Sequence, residues 1–421
     1  MAAPQETVRG DVPLWLTGPV PEPVRDPLPA TTDLAIIGGG VAGVAVAHHA
    51  VRHGVRVVLL EAGRLAGRAS GRNDGQVLLG LGEHLNRLYG QWGRERGRAL
   101  WAFLADNGDA MAEVVAALGL DCHYHRDGGL RLADGPAEGR ELEETSALMR
   151  EDGIPHRLYG AAELEAVLPL GRGFDGGLYL EGEALFDPAR FVRGLAAAAR
   201  AGGLVLREDT RVASITGELG EFRLDLDDGP LRASIVVHAT SALAPDLDRS
   251  GFLARTLFPL RAQILTTPPL PAELATRMPP WAMSSNFCYE YFRMHGDRLS
   301  LGGMRWSVPG EEGGTRDDGV VNPTITANLL AWLGRHFPDL APAGAERCWT
   351  GILAGTPDGL PLIGELPGRP GELACLGFNG YGMSFAYLAG RSIAEQVAEG
   401  RATHPSASLF RPDRFRAAAG A

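Results

Sequence analysis

Asp33-Leu-Ala-Ile-Ile-Gly-Gly-Gly-Val-Ala-Gly43, with Glu61 eighteen residues beyond its last glycine, is the stretch that decides the fold. Leu34 to Ile37 is an apolar run of the length of one buried parallel strand. Gly38, Gly40 and Gly43 follow it as G-x-G-x-x-G, with Val41 and Ala42 between the last two glycines, and Val44 to His53 continues as a helix. Arg56 to Leu60 gives a second strand ending on Glu61 and Ala62. Gly38 makes the tight turn, Gly40 admits a pyrophosphate close to the backbone, and Gly43 lets helix and strand pack together. The helix start offers unpaired N–H groups and the positive end of its dipole to phosphates, and Glu61 is placed to accept hydrogen bonds from ribose hydroxyls. This βαβ unit predicts a dinucleotide site, NAD or FAD.

Length and composition bound the rest. The 421 residues suffice for two or three domains, and 45% hydrophobic with 22% charged residues describes a globular chain. A formal charge of −11 without a basic block argues against a nucleic-acid partner. The apolar stretch 34–51 is interrupted by glycines and ends in His48 and His49, so no membrane span is expected. No charged segment followed by an apolar run marks the N-terminus as a secretory signal. Cys122, Cys288, Cys348 and Cys375 are far apart, which favours a reduced, cytoplasmic setting. All forty basic residues are arginine, so lysine chemistry is excluded. Cys122-His-Tyr-His125 lacks a fourth ligand at a recognised spacing, and no metal is expected.

Outward from the βαβ unit, residues 1–30 hold seven prolines and read as an extended surface arm anchored by Trp15. Gly63 to Gly82 is a glycine- and arginine-rich loop containing Ala69-Ser-Gly-Arg-Asn-Asp-Gly-Gln76, suited to wrapping an anionic ligand. Arg98 to Gly119 carries apolar residues at three- and four-residue steps, an amphipathic helix. Asp187-Pro188 opens a helix running to Ala201. Short strands are expected around 204–206, 211–216, 222–227 and 234–239, then at 260–267, 288–294 and 299–303. In the strand 288–294, Tyr289, Tyr291 and Arg293 share one face. A helix over 322–337, a strand at 349–353, a turn-rich segment to Gly364, a strand at 373–378 and a helix over 384–398 follow. His48 and His49 are expected on the solvated side of the first helix, and the tail beyond 401 is expected to be loosely ordered.

These motifs, in this order, resemble the D-amino-acid-oxidase-type superfamily of FAD enzymes, nearest to γ-glutamylputrescine-oxidase-like and glycine–sarcosine-oxidase-like amine oxidases. The resemblance rests on Asp33–Gly43 with Glu61, on Ala69–Gln76 (where relatives usually have glycine for Asp74), and on Phe186-Asp-Pro188. It continues through Pro259-Leu-Arg-Ala-Gln263, Trp349-Thr-Gly351, Thr356-Pro-Asp-Gly-Leu-Pro-Leu-Ile-Gly364 and Gly377-Phe-Asn-Gly-Tyr-Gly382. It implies FAD, held non-covalently. It also implies an α/β fold, with a discontinuous Rossmann-type FAD-binding domain (31–95, 185–245, 346–401) and an α+β substrate domain on a mixed sheet (96–184, 246–345). The arm 1–30 and the tail 402–421 flank these.

By carry-over, Arg64 lies near the adenosine ribose, and Ala69, Ser70, Arg72, Asn73, Gly75 and Gln76 pass the pyrophosphate and flavin. Val212 meets the adenine, Ala239 and Thr240 meet the AMP half, and Gly380, Tyr381, Gly382 and Met383 meet the pyrimidine end of the flavin. Gly351 stands where some relatives attach flavin through cysteine. A glycine loop opening a helix also puts N–H donors where reduction places negative charge.

The reaction implied is hydride transfer from a CH–N donor to flavin N5, giving an imine, with dioxygen as the expected acceptor. A dehydrogenase or biosynthetic tailoring enzyme with another acceptor, and a flavin-binding protein without turnover, are the alternatives. Leu353 stands where amino-acid-specific relatives carry an arginine for the carboxylate, so a small-molecule amine is expected; Arg293 is a candidate replacement guanidinium. Ser300 takes the place of a lysine that speeds reaction with oxygen. Tyr289, Tyr291, Arg293, Ser300 and Tyr381 are the candidate catalytic set.

Overall fold

The structure is a computed structural model describing residues 8–19 and 21–419. Its centre is the expected parallel unit. Thr31–Ile37 pairs in parallel with Val57–Leu60 on one side and with Leu231–His238 on the other. Val205–Arg207 extends the sheet beyond Val57–Leu60, and Phe222–Asp225 and Ser214–Thr216 continue it past Leu231–His238 as antiparallel strands. The last half of Leu231–His238 also receives Glu372–Leu376, which carries Leu362–Glu365 as an antiparallel neighbour. Eight strands result.

The helix Val41–Arg52 covers this sheet, starting at Val41 rather than Val44 because Gly40 in extended conformation is its N-cap. Two further helices, Pro188–Ala201 and Gly382–Glu399, pack on it. The second approaches closely at Gly390, where a Cβ would lie 2.6 Å from that of Ala45. That crowding buries nearly the whole of Val41–Arg52 and corrects the expectation for the paired histidines. His48 is buried and His49 half-buried, both against the Tyr387 ring. Burial pushes His48 down to about 4, so both imidazoles are neutral at physiological pH.

A second eight-stranded sheet runs in the order Arg347–Gly355, Phe258–Thr266, Arg298–Gly302, Glu290–His295, Ala282–Ser285, Gly129–Leu132, Gly176–Leu180, His156–Gly160. It is mixed, with Ala282–Ser285 and Gly129–Leu132 parallel and the other pairs antiparallel. The helix Pro323–His336, capped by the Asn322 side chain, packs Trp332 and Leu333 against its apolar face. Residues 346–401 therefore serve both sheets, Arg347–Gly355 in the second and 362–376 in the first.

Both ends are held. The arm pairs Val8–Arg9 with Val320–Val321 and inserts Trp15, which is 7% exposed. The tail, expected to be loose, buries Phe410 against Phe103 and Phe385, and Arg414 grips Asp358 with two nitrogens. Among the described residues no helix is long and apolar enough to cross a membrane.

Candidate functional site

A cavity of about 720 Å³ opens along the C-terminal ends of the first sheet's strands, where ligands of open α/β sheets sit. Of the residues singled out from sequence, Gly38, Gly40, Val41, Ala42, Glu61, Ala62, Arg64, Ala69, Ser70, Asn73, Val212, Ala239, Thr240, Gly380, Gly382 and Met383 all line it. Gly43, Arg72, Gly75, Gln76, Gly351 and Tyr381 do not line it.

The glycines act as the turn requires. Gly38 has φ +114°, and a Cβ there would strike the Ala239 carbonyl. A Cβ on Gly43 would run into the Gly38 carbonyl, so strand and helix could not meet. At Gly40 a Cβ would meet only Ser70 Oγ, at 3.0 Å, which leaves the cradle open on the cavity side. Ser70 Oγ accepts from Val41 N (2.9 Å), the first amide of the helix. Glu61 accepts from Gly39 N (2.7 Å) and Gly63 N (2.8 Å), so its carboxylate is fixed at the end of the second strand. Burial pushes its pKa up, and the two N–H groups oppose that shift. The Arg64 guanidinium is drawn aside by Glu208 (3.2 Å), a buried acid that also accepts from Leu65 N and Val24 N.

Helix start, fixed carboxylate and glycine cradle are the parts of which dinucleotide sites at open α/β sheets are built. The cavity continues past Leu353, Phe378 and Asn379 to the start of helix Gly382–Glu399. Asn379, in left-handed conformation (φ 53°), donates through Nδ2 to Gly377 O and accepts from Thr356 N, fixing the glycine loop. Sequence reasoning missed Thr210, Asp246, Phe378 and Asn379 on the walls. For Asn379 the signal was there, an asparagine between two glycines just before a helix.

The loop Arg72–Gly75 is held by its carbonyls. Trp349 Nε1 donates to Arg72 O (2.9 Å) and Trp15 Nε1 to Asn73 O (2.6 Å). Arg293 Nη1 donates to Asp74 O (3.2 Å) and Gly75 O (2.9 Å), and also to Phe186 O (2.9 Å). Arg72 Nη1 reaches Thr350 O (3.1 Å), and a Cβ on Gly351 would lie 3.4 Å from the Arg72 Cβ, placing Gly351 beside this loop. Gln76 donates to Phe292 O (3.2 Å).

Of the candidate catalytic set, Arg293, Tyr291 and Ser300 meet on one face of adjacent strands, and Arg293 is directly opposite Ser300. None of them borders the large cavity. Arg293 is buried among the carbonyls above and pushed down to about 10 by that burial. Ser300 is buried with its hydroxyl unbonded. Tyr289 is 45% exposed and lies apart from the cavity; Tyr381 caps the helix 382–399 with its ring against Gly82. Asp74 lies deep but keeps part of its surface open; burial pushes its carboxyl up to about 6 against the pull of Arg293.

Comparison with known proteins agrees with this geometry. The chain is 28% identical over 370 residues to gamma-glutamylputrescine oxidoreductase of Escherichia coli (strain K12), covering 87% of this chain and 83% of that one. It is 28% identical over 372 residues to glycine oxidase of Geobacillus kaustophilus (strain HTA426), covering 87% and 92%. The crystal structure of glycine oxidase from Geobacillus kaustophilus superposes with a TM-score of 0.77 at 24% identity, over 92% of this chain and 99% of that one. The profile of the DAO family, FAD dependent oxidoreductase, matches residues 33–396. The chain therefore belongs to the FAD dependent oxidoreductase family, and the dinucleotide its cradle is built for is FAD.

Proposed function

We propose that this enzyme oxidises the CH–N bond of a small-molecule amine to an imine, with dioxygen as acceptor. The observation that carries the choice of an amine over an α-amino acid is Leu353. It lines the cavity wall 3.5 Å from where a Gly380 Cβ would sit, an apolar side chain at the ring end. A substrate carboxylate there would need a guanidinium. Arg293, the candidate replacement, does not border the cavity, and its Nη1 donates to three main-chain carbonyls and its Nε to a fourth, Met294 O.

In this reading the adenosine lies at Glu61 and Val212, the pyrophosphate at Val41 and Ser70, and the flavin between Asn73 and Gly380–Met383. Bound FAD supplies the two-electron acceptor for the hydride. The helix Gly382–Glu399 presents its positive end to the ring, and Asn379 keeps the loop before it in one conformation. The four cysteines are buried and unpaired, which supports a reducing, cytoplasmic setting.

A serine rather than a lysine at position 300 supports a second reading, a dehydrogenase with another acceptor. Anaerobic addition of primary and secondary amines is expected to bleach the yellow holoenzyme, and re-aeration to restore the colour with release of peroxide. Colour that persists with every amine and amino acid rules the oxidation out. Bleaching without peroxide on re-aeration selects the dehydrogenase.

A further inference from the structure

The N-terminal arm touches the cofactor loop at one well-defined point. Trp15 sits in a short turn, Leu14–Leu16, with its ring edge-on to His295 (centroids 4.5 Å apart) and 5.4 Å from the Arg293 guanidinium. Its indole N–H donates to Asn73 O at 2.6 Å. Leu16 packs beside it, 3.2 Å from where a Gly71 Cβ would sit. Asn73 has each of its other side-chain groups committed: Nδ2 donates to Ala69 O and Ser70 O, and Oδ1 accepts from Gly75 N. Ser70 in turn accepts from Val41 N. Three hydrogen bonds thus join the arm to the first amide of the phosphate-facing helix, and Asn73, Ser70 and Val41 all line the cavity.

We propose that the arm is a latch on the cofactor loop, with Trp15 a positioning residue whose docking and FAD binding stabilise each other. Apart from the turn Ala69–Gly71 the loop to Gly75 has no regular structure, so donors from outside it set its path. Arg72, Asp74 and Gly75 carbonyls take theirs from Trp349 and Arg293, within the second sheet; Asn73 alone depends on the arm. With the arm away, Asn73 O loses its partner and the loop has more shapes than the one that faces the cofactor. FAD selects that one shape, and linkage requires the effect to run both ways. The proposal does not depend on which donor is oxidised.

Two measurements on the full chain test it, neither using turnover. The first is FAD affinity of the apoprotein, read by quenching of flavin fluorescence. Trp15→Phe keeps the ring and removes the N–H, and is expected to raise Kd about tenfold. The second is tryptic cleavage after Arg9 and Arg25 in the arm, which saturating FAD is expected to slow about tenfold in wild type and less in Trp15→Phe. Asp11→Ala loosens the arm at a second tether, the Cys348 amide (2.8 Å), and is expected to weaken FAD in the same direction with Trp15 intact. FAD affinity within twofold of wild type in both variants overturns the proposal, as does arm cleavage at one rate with and without FAD. A Trp15→Phe chain that fails to fold leaves the Asp11→Ala affinity and the wild-type protection to decide.

Discussion

Ser300 and Arg293 face each other across the Glu290–His295 and Arg298–Gly302 pair, an unbonded hydroxyl beside a guanidinium that holds the carbonyls of Asp74, Gly75 and Phe186. Arg293 is therefore a tie between the second sheet and the loop Arg72–Gly75. Arg293→Leu removes this donor from the Asp74, Gly75 and Phe186 carbonyls, of which Gly75 O keeps the Phe186 amide, and a buried carbonyl left unpaired costs about 1–3 kcal/mol. The expected outcome is a loss of stability of about 3 kcal/mol or more and release of FAD, read by urea unfolding and by flavin fluorescence in the filtrate. Arg293→Lys is expected to recover only part, because an ammonium cannot reproduce the planar fork.

Glu290 sets a pH dependence. It is fully buried, its Oε1 accepts from the Trp306 indole (2.8 Å), and burial pushes it up to about 7, with Asp134 adding in the same direction. A carboxyl whose folded pKa lies above its unfolded value makes the native state bind more protons. Its contribution is thus fully present below about 4.5 and is lost as pH rises through about 7. The change is at most about 3 kcal/mol. Glu290→Gln is expected to flatten stability between those limits and to raise it at pH 8. Urea melts across pH 5–8 with an unchanged slope in the variant would refute this assignment.

Leu353 gives a test of substrate class. Leu353→Arg places a guanidinium on the cavity wall at the ring end, beside Gly380. Steady-state kinetics on glycine and sarcosine against simple amines should show kcat/KM moving toward the carboxylate-bearing donors by about tenfold or more, the worth of a charge-assisted pair. An unchanged ratio would mean that Leu353 does not face the donor.

Much of the cavity was legible because its makers are contiguous. Gly38 to Gly43, Glu61 and Ala69 to Asn73 lie in short motifs whose residue types are dictated by backbone geometry, and the fold brings them together as written. The second sheet was less legible. Ala282–Ser285 is too short and serine-rich to declare itself, and His156–Gly160 is an edge strand with mostly half-exposed or exposed residues, so alternation is weak. His48 misled because a polar residue on a helix suggests solvent, whereas packing against Gly382–Glu399 and Pro188–Ala201 buries that helix on almost every side. Phe410 and Arg414 misled in the same direction, since a tail's docking depends on partners such as Phe103 and Asp358 that no local pattern reveals.

The parallel pairing of Thr31–Ile37 with Leu231–His238 has a consequence for how the chain is made. Thr31 finds Arg232 only after every residue between them has been synthesised, and Glu372–Leu376 joins that strand later still. At about 5–20 residues per second, the apolar edge of Leu34–Ile37 waits on the order of ten seconds or more for its partner. Pairings this distant in sequence form slowly. During that interval Val57–Leu60 can cover one edge of the strand, and the other stays open to chaperones or to a second chain.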